Sequence, residues 1–277
     1  MTSPLVSMLT PQDVASRLAF GQEIDDLMRS SLPWAARFSD PPISGFVVGA
    51  VALGGSGALY AGANLEFTGM PLAASVHAEQ SAVTNAWLRG EREVTAIAVT
   101  ATPCGHCRQF LMELGSPERL TILIPDRPPT TLAELLPAAF GPRDLGVSGG
   151  MLANGAIELS ARIDDDDVLG QAALGAARAS YAPYTRAHAG VALQTADGTI
   201  VTGRYAESAA YNPSLPALQS ALVDLRLRRI ERSSIVSAVM VEEAGRTSQL
   251  AAAESLLSSV SRANVRYIGC AQSTSGA

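Results

Sequence analysis

The chain has 277 residues, 47% of them hydrophobic and 17% charged, with a formal net charge of −6. That length suits one large domain or two smaller ones with a sizeable core. The sparse, acidic charge excludes a protein built to neutralise nucleic-acid phosphates or to bind a membrane surface through a basic patch. Every one of its 20 cationic side chains is arginine, which excludes a P-loop lysine, a Schiff-base lysine and a lysine general base.

In chain order, "LTPQDVASRLAF" opens a helix: Thr10 caps it, Pro11 suits its first position and Asp13 lies near the positive end of the dipole. The opening residues carry no basic stretch followed by an apolar run, so no signal peptide is expected. A second helical stretch runs to about Ala36, and "SDPPIS" breaks it. Val47 to Leu53 and Leu59 to Ala63, separated by "GGSG", read as a hairpin. Ser75 to Arg89 reads as a helix with Ser75 as cap and Gly90 as stop, and Val94 to Thr100 as a buried strand. A helix from Pro103 to Gly115 and a strand from Leu120 to Ile124 follow. Strands alternating with helices predict a layered α/β unit. The Pro-rich stretch 125–146 reads as a crossing between units, and "DDDD" at 164–167 as a solvated helix start. No apolar run is long and unbroken enough to span a bilayer.

The plan then repeats. "GVALQTADGTIVTGRYAE" (190–207) parallels "AVALGGSGALYAGANLE" (50–66), and "PALQSAL" (216–222) parallels "HAEQSAV" (77–83). "VSAVMVEE" matches "VTAIAVT", and "NVRYIG" matches "LTILIP". Four matches in one order are an internal duplication. The second copy has Pro216 and Leu218 where the first has His77 and Glu79, and "EEAGRT" where the first has "TPCGHC".

His77, Cys104 and Cys107 are a candidate zinc ligand set. Two thiolates and an imidazole suit Zn²⁺, and a helix start favours thiolates. A C-x-x-C redox pair would need neither His77 nor Glu79, and His106 is the alternative imidazole. A structural zinc site would need a fourth protein ligand, and the third cysteine, Cys270, falls far away in the second copy. Three ligands with an open position look catalytic, with Glu79 as the base that handles the proton of a metal-activated water. Two of three cysteines in such a site suggest a cytoplasmic protein.

"HAEQSAV" followed by "TPCGHCRQF" resembles the cytidine deaminases, whose zinc signature is H-x-E…P-C-x-x-C. "GANLEFTG", "LPAAFGP" and "YAESAAYNPSLPALQ" resemble the larger, two-domain, dimeric branch of that family. The resemblance implies two tandem three-layer α/β/α domains, each a mixed sheet flanked by helices. They would comprise an N-terminal helical segment (1–35), a catalytic domain (36–150) and a linker with a degenerate domain (151–277). It implies one zinc per chain and hydrolytic deamination of cytidine, and of deoxycytidine, to the uracil nucleosides and ammonia, as in pyrimidine salvage. It further implies that Asn64 and Glu66 bond the ribose, that Phe46 stacks on the pyrimidine, and that the Ala78 N–H and Thr102 carbonyl address the base edge. Ala210 and Tyr211 would reach the site of a partner subunit in a homodimer. A polynucleotide-editing deaminase would need a basic groove that this acidic chain lacks, and a non-enzymatic zinc module would leave Glu79 and "ANLE" without a task.

Overall fold

The computed structural model describes residues 6–153 and 155–272. Strand β1 (Met8–Leu9) leads into α1 (Pro11–Leu18), where Thr10 and Asp13 form a reciprocal cap: Thr10 Oγ1 accepts the Asp13 N–H at 3.2 Å and Asp13 accepts the Thr10 N–H at 2.9 Å. The second helical stretch is two short helices, α2 (Ile24–Ser30) and α3 (Leu32–Ala36). The first unit continues as β2 (Gly49–Gly54), β3 (Leu59–Ala63), α4 (Ala78–Leu88), β4 (Val94–Val99), α5 (Gly105–Leu111), β5 (Thr121–Leu123), β6 (Thr130–Thr131) and α6 (Leu132–Leu135). The second contains β7 (Leu159–Ser160), α7 (Val168–Arg178), β8 (Ala189–Thr195), β9 (Ile200–Arg204), α8 (Ala217–Leu227), β10 (Ile235–Glu243), α9 (Leu250–Val260) and β11 (Val265–Gln272).

Each unit is built on a mixed sheet. The first has the order β1-β3-β2-β4-β5-β6, with only β4 and β5 parallel; the second has β7-β11-β10-β8-β9, with only β10 and β11 parallel. The central order 3-2-4-5 thus recurs as 9-8-10-11, so the duplicated text is a duplicated topology.

Two glycines in each hairpin reveal the layers. Gly49 and Gly62 lie one register step apart on β2 and β3, so they point to opposite faces of the sheet. A Cβ at Gly49 would strike Ala36 of α3, and one at Gly62 would strike Ala82 of α4. Helices therefore cover both faces. Gly190 and Gly203 repeat the arrangement against Ala177 of α7 and Ala221 of α8.

Helices α4 and α8 pack on each other between the two sheets. Each is buried on every side: Ala78 to Trp87 in α4 and Ala217 to Leu225 in α8. A helix with no wet face belongs in a core, and a single apolar cluster runs through both units. At its edge the Arg204 guanidinium lies 4.8 Å over the Trp87 ring, and Arg89 faces Asp224 at 3.8 Å.

Three local expectations change. Helix α4 begins at Ala78, not Ser75, because residues 72–74 form a separate 3₁₀ turn and His77 is extended. Helix α5 is shorter than 103–115: it starts after Cys104, which is in extended backbone, and ends at Leu111. The Pro-rich stretch does not simply cross between units: its β6 pairs with β5 at the edge of the first sheet, and Thr131 caps α6 with Glu134. Asp167 of the acidic run caps α7, accepting the Gly170 N–H at 2.9 Å, and pairs with Arg266 at 2.7 Å. Among the described residues no helix is long and apolar enough to cross a membrane.

Candidate active site

His77 and Cys104 are the N-cap residues of α4 and α5, each in extended backbone. At those places the chain presents a side chain in front of the positive end of a helix. Gln80 stabilises the His77 backbone, its Oε1 accepting the His77 N–H at 3.2 Å. Cys107 follows Cys104 by three residues in the first turn of α5, which brings both sulfurs to one side.

The three side chains converge. His77 Nδ1 lies 3.4 Å from Cys104 Sγ and 3.2 Å from Cys107 Sγ, and the sulfurs are 3.7 Å apart. Bond lengths of about 2.3 Å to sulfur and 2.0–2.1 Å to nitrogen set the ligands of a tetrahedral zinc about 3.8 Å apart for a sulfur pair and about 3.5 Å apart for sulfur and nitrogen. The donor set and its spacing therefore fit zinc. Contact with Cys107 holds the Cys104 thiol down at about 4, with backbone N–H groups of Cys107 and His106 and the nearby His77 adding to the effect against burial. The same contact, with burial, pushes the Cys107 thiol up. A cation bound between the sulfurs favours the thiolate of both. His106 is not one of the converging ligands; its ring stacks on His77 with centroids 5.1 Å apart. Cys270 is buried in the apolar cluster of the second copy.

A cavity of about 450 Å³ opens over this cluster. Glu79, Asn64, Glu66, Phe46, Ala78 and Thr102 all line it. Glu79 is buried, and burial pushes its carboxyl up. Ala78 is the first residue of α4, so its N–H has no partner within the helix. Phe46 and Leu72 form an apolar rim, 61% and 72% exposed.

Asn64 and Glu66 have work besides facing the cavity. Asn64 Oδ1 accepts from the Ser39 hydroxyl at 2.6 Å and the Val48 N–H at 2.9 Å, while its amide donates to the Phe46 carbonyl at 2.9 Å. Glu66 accepts the N–H groups of Ile43 and Ser44, both at 2.9 Å, and the Ser44 hydroxyl. Burial raises the Glu66 pKa, but these donors outweigh it and the net shift is downward. One amide hydrogen of Asn64 and about one carboxylate lone pair of Glu66 stay open to a ligand. The two residues build the turn that carries Phe46 as well as lining the cavity.

The second copy builds the same place from different residues. Pro216 and the buried Leu218 stand where His77 and Glu79 stand in the first. The N–H of Ala217, equivalent to that of Ala78, donates to Gln249 Oε1 at 2.9 Å. Glu242 fixes Gln249 by accepting its N–H at 2.7 Å. In the second copy a buried leucine thus replaces Glu79, and a glutamine takes the N–H at the helix start.

Ala210 and Tyr211 lie in the second copy and line no part of the cavity in their own chain, whose lining residues all fall between Ser44 and Cys104. Both are exposed, and Tyr211 has a left-handed backbone with φ +59°. Sequence reasoning missed the roles of Gln80 and Gln249. Gln80 had a signal, because the duplicated phrase keeps it as Gln219; Gln249 had none.

Profiles of the family described as "Cytidine and deoxycytidylate deaminase zinc-binding region" match residues 22–123 and 132–254. A cytidine deaminase from Yersinia pestis (strain Pestoides F) is 49% identical over 85% of this chain and 80% of its own length. A cytidine deaminase from Serratia proteamaculans (strain 568) is 50% identical over 80% of this chain and 75% of its own. Among solved structures, cytidine deaminase from Mycobacterium tuberculosis aligns at 33% identity with a TM-score of 0.40, covering 43% of this chain and 99% of that one. With both halves matched by one zinc-binding family and about half of the aligned residues shared with long relatives, the chain belongs to the cytidine and deoxycytidylate deaminase family.

Proposed function

We propose that this chain is a zinc-dependent cytidine deaminase, converting cytidine and deoxycytidine to the uracil nucleosides with release of ammonia. The observation that supports it best is the convergence of His77, Cys104 and Cys107 at zinc-ligand spacing beneath a cavity that also holds Glu79. His77 Nδ1 and the sulfurs of Cys104 and Cys107 would hold one zinc per chain, which when bound supplies an activated water near neutral pH. Glu79 takes a proton from the attacking water and delivers it to N3 of the pyrimidine, then takes the proton of the hydroxyl formed at C4 and passes it to the departing amine. A buried carboxyl raised from its ordinary range suits a group that must both take and return a proton. The Ala78 N–H and the Thr102 carbonyl address the base edge, and Phe46 lies over the ring. The remaining donor of Asn64 and acceptor of Glu66 bond the sugar hydroxyls.

The exposed apolar rim at Phe46 and Leu72 favours a second copy closing the cavity in a homodimer, with Ala210 and Tyr211 as its contribution. The acidic net charge speaks against a polynucleotide substrate, and a cytoplasmic location fits a nucleoside enzyme with free cysteines. The test is cytidine turnover, followed by the change in pyrimidine absorbance, alongside metal analysis. The reading requires turnover by protein carrying one zinc per chain; zinc-loaded protein inert towards cytidine overturns it.

A further inference from the structure

Glu113 lies just past the end of α5, is fully buried, and has no part in the cavity. Its Oε1 accepts the N–H of Ala209 at 2.8 Å. Its Oε2 accepts the hydroxyls of Tyr184 at 2.6 Å and Tyr181 at 3.1 Å. All three donors belong to the second copy. Burial pushes the Glu113 carboxyl up, and the bonds from Tyr184, Ala209 and Tyr181 act against it. A carboxylate enclosed this way is tolerated only where donors replace its lost hydration.

The anchored residue, Ala209, opens the loop that carries Ala210 and Tyr211. Within that loop the Ser208 N–H donates to Ser214 Oγ at 2.9 Å and the Tyr211 N–H to the Ser208 carbonyl at 2.8 Å. At the far end Gln80 Nε2 donates to the Pro213 carbonyl at 3.1 Å. The loop is therefore clamped from the first copy at Ala209 and at Pro213. Between the clamps Tyr211 is 61% exposed and left-handed. A non-glycine residue persists in that conformation only where its surroundings enforce it.

We propose that Glu113 is a positioning residue for the reaction: it fixes the Ser208–Ser214 loop so that Ala210 and Tyr211 complete the cavity of a second copy of this chain. The inference rests on the deaminase reading given above. Its structural rival is that Glu113 only joins the two copies within one chain. The two differ in what happens to substrate binding when the loop is freed but the chain stays folded.

The experiment uses the zinc-loaded full chain and three variants: Glu113→Gln, Tyr211→Ala and the double variant. Backbone hydrogen exchange over 207–215 reports the loop directly, and cytidine kinetics report the site. In Glu113→Gln, exchange in that segment rises while α4 and zinc content stay unchanged. KM for cytidine rises about tenfold, the size a lost buried hydrogen bond implies, and kcat changes far less. Tyr211→Ala raises KM as well, and the double variant is no worse than the more affected single one, because both act through one loop. If Glu113→Gln fails to fold, Tyr184→Phe removes a single donor at nearly constant volume and carries the same measurements. Independent, multiplying effects on KM overturn the proposal, as does faster exchange with an unchanged KM. Wild-type protein without cytidine turnover sinks the deaminase reading and the proposal together, whereas turnover with independent effects sinks the proposal alone.

Discussion

Glu66 and Glu207 occupy equivalent places in the two copies and hold equivalent turns by the same bonds. Glu66 takes the N–H groups of Ile43 and Ser44 and the Ser44 hydroxyl; Glu207 takes the N–H groups of Tyr184 at 2.8 Å and Thr185 at 3.1 Å and the Thr185 hydroxyl. Among the described residues the second copy gathers no group of metal-ligating side chains, yet its glutamate keeps the turn. Holding the turn is therefore a task both copies share, separate from any contact of Glu66 with a sugar.

Mutating Glu66 will consequently mix two effects. Glu66→Ala should lower the unfolding midpoint and raise KM for cytidine by at least about tenfold, since a lost partner leaves polar groups unpaired. Ser44→Ala removes one donor to the carboxylate and the hydroxyl that accepts the Phe46 N–H at 3.0 Å, while leaving the open lone pair of Glu66 in place. It should reproduce part of the stability loss with a much smaller change in KM. Equal KM changes in the two variants would mean that the turn, not the sugar contact, governs binding.

The same bonds predict an acid response. The folded Glu66 carboxyl sits below its ordinary value of 4.5. A depressed carboxylate contributes stability above its unfolded pKa, and the contribution is lost as pH falls through the folded value. Glu66→Gln should therefore be less stable than wild type near neutrality and show a smaller further decline on acidification. Urea unfolding at a neutral and an acidic pH measures it, and parallel declines would contradict the assignment.

Glu79→Gln keeps the shape of the side chain but removes the base. Fold and zinc content should be retained while turnover drops by at least about 10²-fold, the low end for acid–base catalysis. Metal analysis with steady-state kinetics checks it, and near-normal turnover removes Glu79 from the mechanism.

Metal removal should act on stability as well as turnover. A ligand that binds only the folded chain stabilises it by about 4 kcal/mol at a thousand times its dissociation constant. Chelated protein should melt lower and recover both midpoint and turnover with added zinc. Cys107→Ser should not recover, because the buried sulfur lies within ligand distance of both partners. Full recovery by Cys107→Ser would point to a different ligand set.

Much of this was legible from residue order. The repeated hairpins and the "x-A-x-Q-S-A" helices are local patterns, and a duplication reads them out twice. The metal cluster was legible because C-x-x-C and H-x-E carry their spacing with them. What stayed hidden depends on distance along the chain. Glu113 meets partners 68, 71 and 96 residues away, and no local pattern marks a residue for such contacts. Gln249 meets Ala217 from the N-cap of α9, the place that Cys104 holds at α5 in the first copy, but the two residues share no chemistry that a pattern could match. The α4 start differs because Ser75 is an ordinary cap by type, whereas the cap is His77, one of the three converging side chains.

The duplication also predicts what a fragment ending near Gly150 will do. Helix α4 is buried from Ala78 to Trp87, one side against β2 and β3 and the other against α8. Removing the second copy uncovers that second side, an apolar stripe with the candidate zinc ligand His77 at its head. It also removes the guanidinium of Arg226, which donates to the Phe38 and Ser39 carbonyls at 2.9 Å each. Arg232 goes too, with its bond to the Glu66 carbonyl at 3.2 Å and its pairing with Asp40. Those segments carry Ser39 and Glu66, so the loss reaches the turn that bears Phe46. An exposed apolar face of this kind drives association or loose packing. The fragment should be insoluble or poorly folded, with dispersed tertiary signals lost and no cytidine turnover. Full-rate turnover by a soluble, monomeric fragment would mean that the second copy supports neither the fold nor the site, and that its retained loop and arginines serve something else.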